Sequence, residues 1–490
     1  MENTVHWLEP VPILQTSPRQ DIVLNDQHTP PLFLHTPLHD RLLKLKNEID
    51  NVAPVGYWDD AKKITNPYEY IFLSLQRRMP WSIASLQPLS RSYFKMIEMW
   101  DTLGLSAAAT AHSAEGPGGF LEAIQDRVSQ RGGTNAIPMI AMTLKSTERT
   151  VPGWRKSQAF LQSYPEVHIT YGADNTGNLY SLENQDAFAS SAAAHLTGGK
   201  ADVYTADGGF DFSADFNGQE NTVQRLLIAE ALAGLTTLRV GGTMILKLFD
   251  MKHKATLDFI WVLSMCFDHT GLIKPRTSRP ANSERYWIGQ GFKGERNPPW
   301  ILTLFRELTA TEAPSGWDHL FDPAVIDYPA AWITGIQIFQ EHVELHQFNK
   351  IQMTLDLIRK PSRDLIRDLL TENIRNSRAW CAHHRIPLNR RYLGLTDEQV
   401  ALQNLEEALV PFQASVARMS LPESFRPPPT HRELIVNPVP RTPVGLAWRT
   451  ALPASVLGRA PSQTAGGTPP SAQPVRPQSP PCSDHEPEPL

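Results

Sequence analysis

Cysteine is scarce in this 490-residue chain: Cys266, Cys381 and Cys482 are its three thiols, too few and too scattered for a disulfide framework or a cysteine-based zinc site. A reducing compartment is the natural expectation. Long hydrophobic runs are missing as well. No apolar stretch approaches the roughly 18 residues that a membrane span needs, and Met1 to Gln20 lacks the basic-then-apolar order of a secretory leader, so neither insertion nor secretion is expected. Positive charge in bulk is also absent, because the formal net charge is -5. A protein that coats nucleic acid through overall charge is excluded, and any nucleic-acid site must be a local basic groove. What remains is 41% hydrophobic and 20% charged residues, a composition that supports two or three soluble cores.

Proline, by contrast, is abundant, with 41 residues, and it crowds the end of the chain. Segment 421–490 should be a disordered Pro-rich tail, since its few large apolar residues cannot offset chain entropy. It would act as a spacer or as an arm for a partner. Residues 1–80 read as a proline-punctuated N-terminal extension with one amphipathic stretch, Leu42 to Val52. From about 81 to 310 the texture becomes alternating. Short apolar runs at Ile137 to Leu144, Val167 to Tyr171, Ala201 to Thr205 and Thr243 to Phe249 read as strands separated by helix-length segments. Val223, Leu226, Leu227, Ala231, Leu235 and Leu238 lie at helical spacing, and Gly241-Gly242 is expected to stop that helix. Repeated βα steps imply an α/β class with a doubly wound parallel sheet. Residues 311–420 read as a helical C-terminal lobe. Its accompanying arginines, from Arg359 to Arg391, are either a solvated face or an RNA-facing one.

Four stretches carry the chemistry. Ala114-Glu115-Gly116-Pro117-Gly118-Gly119-Phe120 opens a helix, and its glycines let the backbone approach a ligand at a helix N-terminus. No Gly-Lys-Ser/Thr follows, so it is not a Walker phosphate loop, and the dinucleotide spacing is lacking too. Asp207-Gly208-Gly209 follows an apolar run, which places Asp207 at a strand's carboxyl end, where open α/β sheets bind ligands. Lys247 lies inside a strand run, a costly place for an ammonium that is neither paired nor used. Lys274 through Arg285 form a polar, basic loop that leads into the apolar Tyr286 to Ile288. Cys381, His383 and His384 lack a second ligand pair at zinc spacing. Asp211, Asp215 and Glu220 are equally explained by capping, so no metal is expected.

Together with Ser92-Tyr93-Phe94-Lys95, these stretches resemble the FtsJ/RrmJ-type RNA ribose 2′-O-methyltransferases over about residues 89 to 294. The wording of Glu115 to Phe120 and of Ser278 to Tyr286 is most similar to the cap-methylating branch, which includes members from large DNA viruses. The resemblance implies a Rossmann-like methyltransferase sheet and S-adenosylmethionine as cofactor. Its Lys-Asp-Lys-Glu tetrad falls on Lys95, Asp207, Lys247 and Glu284. Gly116, Pro117, Gly118, Gly119 and Phe120 would then cradle the cofactor, with Asp207 beside it and Asp174 toward the adenine amino group. The chain departs from the family in two places: His112 stands where an acid often opens the first motif, and Met142-Thr143-Leu144-Lys145 lacks the acid that would hold the cofactor ribose.

A ribose hydroxyl is a poor nucleophile, so its attack on a methyl group needs a base or a cation beside the oxygen. Lys247 is the expected central group, acting either as a neutral amine that takes the proton or as a cation that steers the hydroxyl. RNA phosphates are expected at Lys274, Arg276, Ser278, Arg279, Asn282 and Arg285. Trp81, Tyr286, Trp287 and Phe292 are either stacking groups for bases or core. The resemblance points to cap 1 formation on mRNA, with methylation of an internal rRNA or tRNA ribose and a non-catalytic RNA-binding subunit as alternatives. It further implies a capping-apparatus or polymerase partner reached through the tail and, with no membrane segment expected from the sequence, an intracellular location, nuclear or cytoplasmic, or in the host cytoplasm or virion for a viral source.

Overall fold

The computed structural model describes residues 4–25, 32–52, 56–73, 82–130, 136–148, 151–210, 218–324 and 326–418. Trp81, Asp211, Asp215 and the predicted tail lie outside these residues. In chain order the elements are β1 (His6–Leu8), β2 (Gln20–Leu24), α1 (Pro37–Val52), α2 (Gly56–Thr65), α3 (Ser92–Thr102), β3 (Thr110–Ser113), α4 (Gly119–Gln130) and β4 (Met139–Met142). There follow α5 (Gln158–Ser163), β5 (Val167–Thr170), α6 (Leu182–His195), β6 (Ala201–Ala206), α7 (Gln219–Thr237), β7 (Leu238–Leu248), α8 (Lys254–Met265) and β8 (Phe267–Ile273). The rest are β9 (Arg285–Phe292), α9 (Pro299–Ala310), β10 (Trp317–Phe321), α10 (Ala330–Arg359), α11 (Arg363–His383) and α12 (Asp397–Arg418).

The main sheet has the order β1-β8-β9-β7-β6-β3-β4-β5. From β5 to β7 neighbouring strands are parallel, while β9 runs antiparallel to both β7 and β8. Strands such as Met139–Met142 are buried at every position because helices cover both faces. One layer packs α7, α8 and α9 against Tyr204, Met244 and Leu246, and the other packs α3 and α4 against Met139, Val203 and Ile245. The chain order reverses between β3 and β6, whose last residues, Ser113 and Ala206, are register partners. The Gly-rich turn and Asp207 therefore leave the sheet side by side at its topological switch point.

The expected strands and the Val223-to-Leu238 helix are present, with one correction. Gly241-Gly242 does not end that helix. It ends at Thr237, Leu238 is already extended, and Gly241, at φ +81, lies inside β7 beside a register shift against β6. The pair makes a bulge, which the left-handed backbone of Gly241 permits. The lobe after 310 is not wholly helical either, since β10 pairs with β2 from the N-terminal extension.

Candidate active site

Four elements deliver the tetrad. Lys95 projects from α3, Asp207 follows β6, Lys247 is the penultimate residue of β7, and Glu284 immediately precedes β9. All four side chains are largely buried. The Lys95 ammonium donates to Glu284 Oε2 at 2.9 Å. Lys247 Nζ donates to the Asp207 carbonyl at 2.7 Å and pairs with Asp207 Oδ1 at 3.4 Å. Tyr286 joins the two halves. Its hydroxyl donates to Asp207 Oδ1 at 2.8 Å and accepts from Lys95 at 3.4 Å. This residue was expected to stack or to fill the core, and its polar role follows from register: Tyr286 sits directly opposite Lys247 across the β7/β9 ladder, so both side chains share one face.

The electrostatics follow from two cations and two anions sharing a low-dielectric space. Burial favours neutral Glu284, but Lys95, then Lys247 and Lys274, outweigh it and hold the carboxyl down at about 2. Burial likewise opposes charge on Lys95, yet Glu284 and Asp207 more than offset it, so this ammonium is held above the ordinary lysine range. Two further acids lie close by. Glu115 accepts from the Thr205 hydroxyl, and Glu230 of α7 accepts the Gly208 N–H at 3.1 Å. Burial pushes Glu115 well above the usual carboxylate range, with Asp207 adding repulsion, and pushes Glu230 up to about 8 despite the pull of Lys247. The Asp-Gly-Gly segment runs close to these side chains: a Cβ on Gly208 would displace Glu230 Oε1 and meet the Ala114 Cβ at 3.0 Å, and one on Gly209 would lie 3.2 Å from Lys247 Nζ.

The Gly-rich turn is tightly built. Gly118 adopts φ +101, and a Cβ on Gly116 would come within 2.8 Å of the Gly153 carbonyl. Segment 151–157 closes over the turn, with the Trp154 ring against Gly118 and the Ser157 hydroxyl donating to the Pro117 carbonyl. α4 begins at Gly119, so the first-turn amides there have no intrahelical acceptor and suit a carboxylate. Phe120 is buried beneath the turn with its ring 6.0 Å from that of Tyr286, which ties the cradle to the tetrad. Asp174 lies in the exposed loop after β5. Its Oδ1 accepts from the Thr176 amide, the Thr176 hydroxyl and Asn184 Nδ2, an arrangement that depresses its pKa and fixes the loop. His112 is a core group, with both ring nitrogens bonded to the hydroxyls of Thr110 and Thr205. These residues would suit S-adenosylmethionine: the first-turn amides after the glycine turn could take its methionine carboxylate, and the Asp207 carboxylate leaves the sheet beside that turn.

The basic loop is corrected. Arg285 was expected to meet RNA phosphates, but it is fully buried and bonded to Asp250, Gln340 and the Ser283 carbonyl. Lys274 turns inward onto Asn282 and the Glu284 carbonyl, and burial pushes it down to about 7. Ser278 is buried and donates to Glu284 Oε1 at 2.8 Å, while Arg279 forks onto the buried Glu69 at 2.8 and 3.0 Å. These four tie the loop together, because buried polar groups must find partners. Arg276 and Asn282 keep solvent access. Tyr286, Trp287 and Phe292 are core. On the helical lobe, Arg359, Arg363, Arg367, Arg375 and Arg378 each face a carboxylate.

Residues 88–292 match the model of the FtsJ-like methyltransferase family. The African swine fever virus protein named "Probable methyltransferase EP424R" is 28% identical over 291 residues, which covers 57% of this chain and 63% of that protein. The cap-specific mRNA (nucleoside-2′-O-)-methyltransferase 1 of Leishmania braziliensis is 34% identical over 205 residues, 41% of this chain and 48% of that protein. Its namesake from Danio rerio is 33% identical over 184 residues, 36% of this chain and 21% of that protein. The chain thus spans less than two thirds of the length of these curated relatives. The similarity that these comparisons share is therefore to the FtsJ-like methyltransferases, a family whose methyl donor is S-adenosylmethionine, and the family model's match is confined to residues 88–292.

Proposed function

We propose that this protein methylates the ribose 2′-oxygen of RNA, and that its target is the first transcribed nucleotide of capped mRNA. The observation that supports this reading is the convergence of Lys95, Asp207, Lys247 and Glu284 from four separate elements beside a glycine-cradled helix N-terminus. S-adenosylmethionine supplies an electrophilic methyl group when bound. The turn at Gly116, Gly118 and Gly119 would hold its methionine end, and Asp174 its adenine side.

The chain's own residues supply the rest. Asp207 fixes Lys247 through two contacts, to its carbonyl and its carboxylate, which leaves the amine a third direction for the ribose hydroxyl. Lys247 Nζ then either accepts that hydroxyl's proton as a neutral amine or, as a cation, donates to the hydroxyl oxygen while solvent takes the proton. Lys95, kept charged by Glu284, supplies positive potential toward the developing alkoxide, and Tyr286 locks Asp207 in place. Burial of all these groups excludes water, so orientation provides much of the rate. The cap assignment is supported by the two cap-specific relatives, and Arg276 and Asn282 remain the proposed RNA contacts on the loop.

The test is methyl incorporation from labelled cofactor into capped and uncapped transcripts. Wild type should label capped RNA, and Lys247→Ala should lower the rate by about a hundredfold or more while still binding cofactor. Equal incorporation by both proteins would refute the role of Lys247. Equal labelling of capped and uncapped RNA would replace the cap target with an internal ribose.

A further inference from the structure

We propose that Glu98 is a positioning residue: by gripping the backbone at Arg276 and Thr277 from the helix that carries Lys95, it sets where Glu284 stands against that amine. The inference rests on reading Lys95 and Glu284 as parts of a methyl-transfer site. Glu98 and Lys95 are three residues apart on α3 and share a face. Glu98 is fully buried, a costly place for a carboxyl unless its oxygens are used. They are used three times, and always by the same loop. Oε1 accepts the Arg276 N–H at 2.7 Å, and Oε2 accepts the Thr277 N–H at 3.1 Å and the Thr277 hydroxyl at 2.9 Å.

The contacts then close into a ring. Ser278, next to Thr277, donates to Glu284 Oε1, Glu284 Oε2 accepts from Lys95, and Lys95 returns to α3. Lys274 seals the loop by donating to the carbonyls of Asn282 and Glu284. Each Glu284 oxygen is therefore aimed by a group whose own position depends on α3, directly through Lys95 and indirectly through Glu98. Burial lifts the Glu98 carboxyl above its ordinary range, and the donors at Arg276 and Thr277 offset only part of that cost. Beyond the loop, Glu98 feels the His384 ring, which is itself bonded to Asp101, and lies near Tyr68.

Glu98→Gln keeps the shape and one acceptor oxygen but sets an NH2 group against a backbone N–H on the other side of the grip, where no hydrogen bond can form. We expect kcat to fall about 10- to 100-fold with the cofactor dissociation constant unchanged within about twofold. In a Glu284→Gln background the same change should cost less than about a further twofold, because both act through one geometry. A merely structural Glu98 would give additive losses. A second readout needs no RNA. Lys274 and Arg279 are each followed by proline and resist trypsin, whereas Arg276–Thr277 is cleavable and is the peptide that Glu98 holds. Trypsin should cut there faster in Glu98→Gln than in wild type. If the Gln protein does not fold, Thr277→Val removes one of the three bonds, and about a two- to fivefold rate loss is expected. Unchanged protection at Arg276–Thr277, or additive losses with Glu284→Gln, overturns the inference. Wild type that methylates no RNA would overturn the functional reading instead, and the trypsin arm would still decide whether Glu98 holds the loop.

Discussion

Glu230 carries the sharpest residue-scale consequence. Its Oε1 accepts from Gly208, but its Oε2 is buried with no hydrogen-bond partner among the described residues. Burial pushes this carboxyl up to about 8, well above the roughly 4.3 of an unfolded chain, so the folded state binds the extra proton. Stability from this group is therefore complete below pH ~4 and is lost as pH rises toward 8. Glu230→Gln copies the protonated form and should escape the loss. Melting curves should show the variant gaining on wild type from pH 5 to pH 8, by about 1–3 kcal/mol at the upper end. A constant gap across that range would remove the argument. Glu230 also marks what a sequence hides. The tetrad was legible because Lys95, Asp207, Lys247 and Glu284 each stand in an ordered motif. Glu230 sits in an apolar helix run with no motif, and its proximity to Asp207 exists only once α7 has packed under β6.

At the scale of elements, the loop from Lys274 to Glu284 is held from outside the methyltransferase stretch. Glu69, in a 3-10 turn at Glu69–Ile71, takes the forked Arg279 and also pairs with Arg91 at 3.3 Å, just before α3. Burial favours neutral Glu69, but the two arginines overcome it and hold the carboxyl at about 2. The sign is opposite to that of Glu230: this stability is present above pH ~4.3 and is lost as pH falls toward 2. Glu69→Gln should destabilise by about 1–3 kcal/mol at pH 7, since it removes the anion from two partly exposed guanidinium groups, of which Arg91 keeps the Glu69 and Phe72 carbonyls. Denaturant curves at pH 7 and pH 3 check this, with the difference from wild type expected to shrink at the lower pH. The basic composition of this loop suggested phosphate contacts because composition reports charge but not its partner. Arg279 and Arg285 are paired with Glu69 and Asp250, roughly 210 and 35 positions away, and no local pattern reveals such pairs. Helix and strand placement was legible wherever apolar period and length agreed, as in α7. It failed at Gly241-Gly242, where the same glycine pair serves a helix stop or a strand bulge equally well.

Across the whole described fold, the hydrophobic cores ignore the boundaries near residues 80 and 310. On one face of the sheet, Trp317, Phe321, Trp332, Ile336 and Phe339 pack with Tyr204, Met244 and Leu246. On the other, Tyr70 and Ile71 from the extension and Ile374, Trp380 and Ile386 from the lobe pack with Tyr93, Phe94 and Ile124, and the Phe94 and Trp380 rings meet edge to face at 5.6 Å. α3, which carries Lys95 and Glu98, is thus sandwiched between the sheet and residues that lie outside 88–292. Isolating that stretch would expose both apolar layers and free the clamp on the loop. A fragment of residues 88–292 should consequently lack a cooperative urea transition, whereas the full chain should show fluorescence and circular dichroism transitions that coincide. Within the full chain, Trp380→Ala should cost about 3–5 kcal/mol and should lower methyl transfer through α3, whose Phe94 ring it packs against, although Trp380 lies outside 88–292. A fragment that unfolds cooperatively and binds cofactor as the full chain does would show that extension and lobe are accessories, and that the site is built by the methyltransferase stretch alone.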